Sequence, residues 1–87
     1  MSSNKPAEAG FILFFMITVT GRIEKKEVGI GAWALVTDDG KTYELRNPPV
    51  DLRQPQHRAE VTGRIRDDVM SIAMIGEILE VDSFTLL

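Results

Sequence analysis

The sequence predicts an all-β domain: a small five-stranded, partly open Greek-key barrel with a long connection between its third and fourth strands. Three observations carry this. β-Branched and aromatic residues come in short runs bounded by Gly, Pro and Asp clusters. No longer stretch shows the apolar repeat of an amphipathic helix. The pentad Val19-Thr20-Gly21-Arg22-Ile23 recurs as Val61-Thr62-Gly63-Arg64-Ile65, which suggests a Gly-centred bend in two strands of one curved sheet.

Residues 1–10 have the polar, Pro- and Gly-containing composition of a flexible leader, and a single barrel domain follows over 11–87. The first strand runs from Phe11 to Lys26 and is broken at Gly21. Gly29 and Gly31 form a turn. Ala32 to Thr37 and Lys41 to Arg46 make the second and third strands, joined by Asp38-Asp39-Gly40, a hairpin signal because Asp and Gly tolerate positive φ. Asn47 to His57 holds three prolines and is excluded as a central strand; it is the long connection, with a helical turn near Val50 to Gln54. Arg58 to Arg66 is the fourth strand, and Asp67-Asp68 turns the chain. Met70 to Ile75 and Glu77 to Phe84 form a fifth strand interrupted at Gly76. Alternation puts Ile17, Val19, Ile23, Leu35, Leu45, Val61, Ile65, Ile72, Met74, Ile78 and Val81 inside. This layout is that of an oligonucleotide/oligosaccharide-binding barrel.

Composition narrows the chemistry. The chain has no cysteine and one histidine, which removes disulfides, thiol nucleophiles and soft-ligand metal sites. The net charge of −3 argues against strong non-specific nucleic-acid binding, but it is unevenly spread. Residues 20–66 carry nine basic groups against seven acidic ones, while residues 67–87 carry five acids and no base. The apolar run from Phe11 to Ile17 is far shorter than the ~20 residues of a membrane span, and it lacks the flanks of a signal peptide. A cytoplasmic protein without a membrane span is expected.

Several segments carry a resemblance: Gly31-Ala32-Trp33-Ala34-Leu35-Val36, Asp38-Asp39-Gly40-Lys41-Thr42-Tyr43-Glu44, Asn47-Pro48-Pro49, Arg53-Gln54, and Asp67 to Gly76 with Glu80-Val81. Together they resemble a family of small uncharacterised prokaryotic β-barrel domains, marked by Asp-Gly-x-x-Tyr and a closing Ser-Ile-x-Met-x-Gly. The resemblance covers roughly residues 18–82 and implies a small barrel with no activity to carry over. More distantly, the chain is similar to bacterial oligonucleotide-binding-like barrels of the stress-associated exported type.

The candidate ligand residues are Arg22, Trp33, Tyr43, Arg46 and Arg64. Aromatics on the second and third strands stack bases in nucleic-acid-binding barrels, and the arginines suit phosphates or acidic sugars. The structural alternatives are a core role for Trp33 and Tyr43 and cross-strand pairing of the arginines with Glu24, Glu44 and Glu60. A triad from Ser71, His57 and Asp51 lacks the context of a nucleophile. Asp67, Asp68, Glu80 and Asp82 match no calcium loop. No cofactor, metal or catalytic residue is expected.

The first strand is apolar on both faces, with Phe11, Leu13, Phe15 and Ile17 on one and Ile12, Phe14 and Met16 on the other. Phe84, Leu86 and Leu87 make the C-terminus apolar too. This pattern suggests an oligomer interface of Phe11, Ile12, Phe14, Met16, Phe84 and Leu86, most simply in a two-fold homodimer. The functional expectation is a non-catalytic, self-associating binding or assembly module. The alternative is a barrel that binds single-stranded nucleic acid or an oligosaccharide on its strand two/three face.

Overall fold

The computed structural model describes residues 16–71 and 73–87. Five strands form: β1 Met16–Lys26, β2 Ala32–Thr37, β3 Thr42–Arg46, β4 Arg58–Ile65 and β5 Glu77–Leu86, with one 3-10 turn at Val50–Leu52. They make a closed ring in the order β1-β2-β3-β5-β4. The barrel is therefore closed where the sequence suggested a partly open one. Neighbours are antiparallel except β3 and β5, which run parallel.

Closure depends on β1 serving two partners, β4 along residues 16–22 and β2 along residues 21–26. Gly21 sits where the two ladders meet. A Cβ there would overlap the Val36 carbonyl oxygen, so the bend requires glycine. Gly63 plays the matching part in β4: a Cβ would overlap the Glu80 carbonyl oxygen, and the ladder to β5 shifts register at Thr62/Gly63. The repeated pentad thus marks two sites of close backbone approach.

The β2–β3 hairpin is a three-residue loop. Thr37 N–H donates to the Lys41 carbonyl at 2.8 Å and Gly40 N–H to the Thr37 carbonyl at 2.9 Å. Within this turn only Gly40 has a positive φ, 91°, so glycine occupies the left-handed position after two ordinary turn residues.

Ile23, Leu35, Tyr43, Leu45, Leu52, Ala59, Val61 and Leu79 form the buried core, with Ile17, Val19, Trp33, Ile65, Val81 and Phe84 packed against it. Leu52 enters from the 3-10 turn, which fixes the long β3–β4 connection to the barrel. On β5, Gly63 pairs with Val81 and Thr62 with Ser83, leaving Asp82 as the extra residue. That bulge changes the phase, so Phe84 turns inward opposite Val61.

Residues 70–75 are not part of the fifth strand: none of those described is in a strand, and β5 begins at Glu77. Met74 is exposed rather than core, with φ 55°; Ile72 lies outside the described residues. Of its described apolar residues Ala73 is buried, while Met70 and Met74 are exposed. Tyr43 and Leu45 point into the barrel, so Glu44 points out. The ladders align Glu24, Ala34, Glu44 and Ile78 in one outward row. Ala34, Glu44 and Ile78 are nonetheless buried, and the β4–β5 connection bonds to this row at Glu44 and Ile78. Ser71 Oγ donates to Glu44 Oε1, and Arg66 N–H donates to the Ile78 carbonyl at 2.9 Å. Ile78 is thus buried, as alternation suggested, but on the outer face. Among the described residues no helix is long and apolar enough to cross a membrane.

Candidate functional site

Three connections converge at the barrel end where β1 stops at Lys26, β2 starts at Ala32 and β3 stops at Arg46. Gly31 from the β1–β2 connection, Asn47, Pro48 and Arg53 from the β3–β4 connection, and Met70 from the β4–β5 connection line one groove of ≈ 320 Å³. Trp33, Leu45 and Ile78 supply its apolar wall, and Glu44 and Arg46 its charged one. Trp33 is half-buried against the core, and Lys25 Nζ lies 5.2 Å from its ring centroid. That is cation–π geometry.

The groove's two guanidiniums are differently held. Arg53 Nε donates to the Pro48 carbonyl at 3.0 Å, which orients the group while neither terminal amino group has a partner among the described residues. Arg46 is exposed and forms no ion pair with a described residue. Glu44, only 6% exposed, is the sole carboxylate lining the groove among the described residues, and the Ser71 hydroxyl is bonded to it. Ser71 Oγ also accepts the Met74 N–H at 2.6 Å. Met70, in the lining, is 88% exposed, and Ile30, next in the chain to the lining Gly31, is 91% exposed.

Of the five ligand candidates, the structure brings Trp33 and Arg46 to this groove. Tyr43 belongs to the core, with Lys41 Nζ 4.9 Å from its ring centroid. It also borders a second depression with Thr18, Thr20 and Lys41. Of the charges there, Asp38 is paired with Arg58 and Lys41 with Glu77, both at 2.9 Å, while Asp39 accepts from the Thr37 hydroxyl. Arg22 bonds Glu24 through Nε at 3.1 Å on its own strand, and Arg64 reaches Glu80 across the ladder at 3.4 Å. The groove takes in part of the outer strand two/three face, since Ala32, Glu44 and Arg46 line it.

Residues that sequence reasoning missed are Arg53, Met70 and Ile30. A signal was present: Ile30 stands alone between two glycines, an apolar side chain in a turn with nothing local to cover it.

Of the proposed interface, Phe11, Ile12 and Phe14 lie outside the described residues. Met16 pairs with Arg64 at one end of β4, and Leu86 with Ala59 at the other. At ~3.3 Å per residue those ends are roughly 17 Å apart, and Phe84 packs on the core. Met16, Phe84 and Leu86 do not form one patch.

The acidic candidates are engaged by arginine. Arg66 binds both Asp68, through two bonds of 2.9 Å, and Glu80. The Arg66 guanidinium pushes the Asp68 carboxyl down to about 2 and lowers that of Glu80. Among the described residues no group of three or more His, Cys, Asp or Glu side chains is placed to hold a metal ion. His57 lies against β1 through its main chain, its carbonyl accepting from Ile23 N–H at 2.8 Å. Asp51 sits in the 3-10 turn. Comparison with protein-family models, curated proteins and solved structures finds no match.

Proposed function

We propose that this chain is a non-catalytic binding module whose ligand occupies the groove at the barrel end. The observation that carries this reading is the meeting, at one concavity, of segments from three separate connections, two arginines outside any ion pair among the described residues, and the exposed Met70. Large exposed apolar side chains grouped around a concave polar site are a binding signature. The ring order gives further support: oligonucleotide/oligosaccharide-binding barrels take ligands beside their β1–β2 and β4–β5 connections, and both connections contribute here. The test is amide and indole shift mapping against oligo-dT, oligo-U, a sugar panel and short peptides. Shifts at Gly31, Trp33, Arg53 and Met70 are expected; a response confined to Thr18, Lys41 and Tyr43 would move the site to the second depression.

A second reading is self-association. Leu86 and Leu87 are exposed at the far end of β4, and the sequence before Met16 is wholly apolar from Phe11 to Phe15. Sedimentation of the full chain beside Leu86→Glu tests it: a concentration-dependent dimer that the substitution dissociates is expected, and a wild-type monomer at high concentration sinks it.

A further inference from the structure

The groove's chemistry separates ligand classes. A single-stranded nucleic acid needs free aromatic faces for its bases, yet the exposed apolar side chain lining the groove is the thioether of Met70. Among the described residues the one aromatic ring lining the groove, that of Trp33, is half-buried, with Lys25 over it. What the groove does offer is a pre-oriented fork. Arg53 is held through Nε, leaving both terminal amino groups for a bidentate contact with one carboxylate, and Arg46 lines the same groove. Beside it lies Met70, an adaptable apolar surface of the kind that receives aliphatic side chains, and the exposed Ile30 precedes the lining Gly31 in the chain.

We infer that the groove takes an extended peptide segment in which an acidic side chain is flanked by aliphatic ones. Its carboxylate sits on Arg53 and Arg46, and its neighbours lie against Met70 and Ile30. The volume of ≈ 320 Å³ suits a few side chains, at the small end of ligand sites. This assignment rests on the binding-module reading and specifies its partner.

The probes are acetyl-Ala-Leu-Glu-Leu-Ala-amide and its counterpart with lysine in place of glutamate, with oligo-dT and phosphatidylglycerol vesicles as competing classes. The expected result is saturable shifts at Arg53, Asn47 and the Trp33 indole with the glutamate peptide and none with the lysine peptide. Arg53→Glu should weaken the affinity about tenfold or more, as loss of a central charged contact does, and Met70→Glu should weaken it too. Arg22→Glu, away from the groove, should leave it unchanged. Amide spectra of each variant establish that it is folded. If the glutamate peptide leaves the groove unmoved at about 1 mM while oligo-dT or vesicles move it, the peptide assignment falls and the binding module stands. Equal binding of the lysine peptide also overturns the assignment. If no probe moves the groove, both fall.

Discussion

Leu79 and Met74 are five positions apart in the chain and opposite in consequence. Leu79 is fully buried, so Leu79→Ala is expected to lower unfolding free energy by about 2–5 kcal/mol, as removal of a buried leucine does. Met74 is 86% exposed, and Met74→Ala should fall within about 0.5 kcal/mol of wild type. Denaturant titration of both variants checks the pair; equal losses would mean that the inner face of β5 is wrongly assigned. Gly63 permits a sharper test. Its missing Cβ makes room for the Glu80 carbonyl, so Gly63→Ala must push β5 away from β4 and should destabilise by about 1–3 kcal/mol, the range of overpacked sites. That need for glycine was legible in the repeated pentad. The inward turn of Phe84 was not, because a bulge at Asp82 leaves no mark in the pattern of apolar residues.

At the scale of elements, the β4–β5 connection is held by two different devices. Near its middle, Ser71 satisfies the buried Glu44. Ser71→Ala strands that carboxylate and should cost about 1–3 kcal/mol; in the Glu44→Leu background, which removes the polar group, the same change should cost far less. A double-mutant cycle measures the difference, and additive losses would refute the coupling. At its start, Arg66 clamps Asp68 and Glu80. An ordinary aspartate titrates near 3.8 and Asp68 near 2, so the folded state binds the proton less readily than the unfolded chain. The clamp's contribution is therefore present above about pH 4 and is lost as pH falls toward 2. Acid unfolding should be shallower across that window in Arg66→Gln, and an unchanged profile would count against the clamp. This connection is also where sequence reasoning failed most plainly. Met70 to Ile75 has the composition of a strand, and the left-handed conformation at Met74 has no glycine to announce it. By contrast, β2 was legible to the residue, since its alternation is bounded by Gly31 and the Asp-Gly turn.

For the whole molecule, the ring is completed by its last strand. β5 lies between β3 and β4 and pairs with both, so removing it leaves two strands with unpaired backbone groups. A chain ending at Gly76 should lack the near-UV signal of a packed core and should aggregate; a soluble, cooperatively unfolding product would show that four strands suffice. The distribution of charge was readable from the sequence, with five acids and no base over 67–87. The groove was not, because it assembles from three connections that are separated along the chain and meet only once the barrel has closed.

The place of β5 in the ring has a consequence for biosynthesis. A nascent chain can form the β2–β3 hairpin as soon as Arg46 has emerged from the ribosome, but β3 and β4 then wait, each with one edge unsatisfied, for the strand that joins them. The barrel cannot close, and the groove cannot exist, until the residues through Leu86 are free of the exit tunnel. Until then the apolar inner faces stay open to other nascent chains, so slowing elongation ahead of Glu77 should lower the yield of folded protein, while slowing it ahead of Ala32 should not.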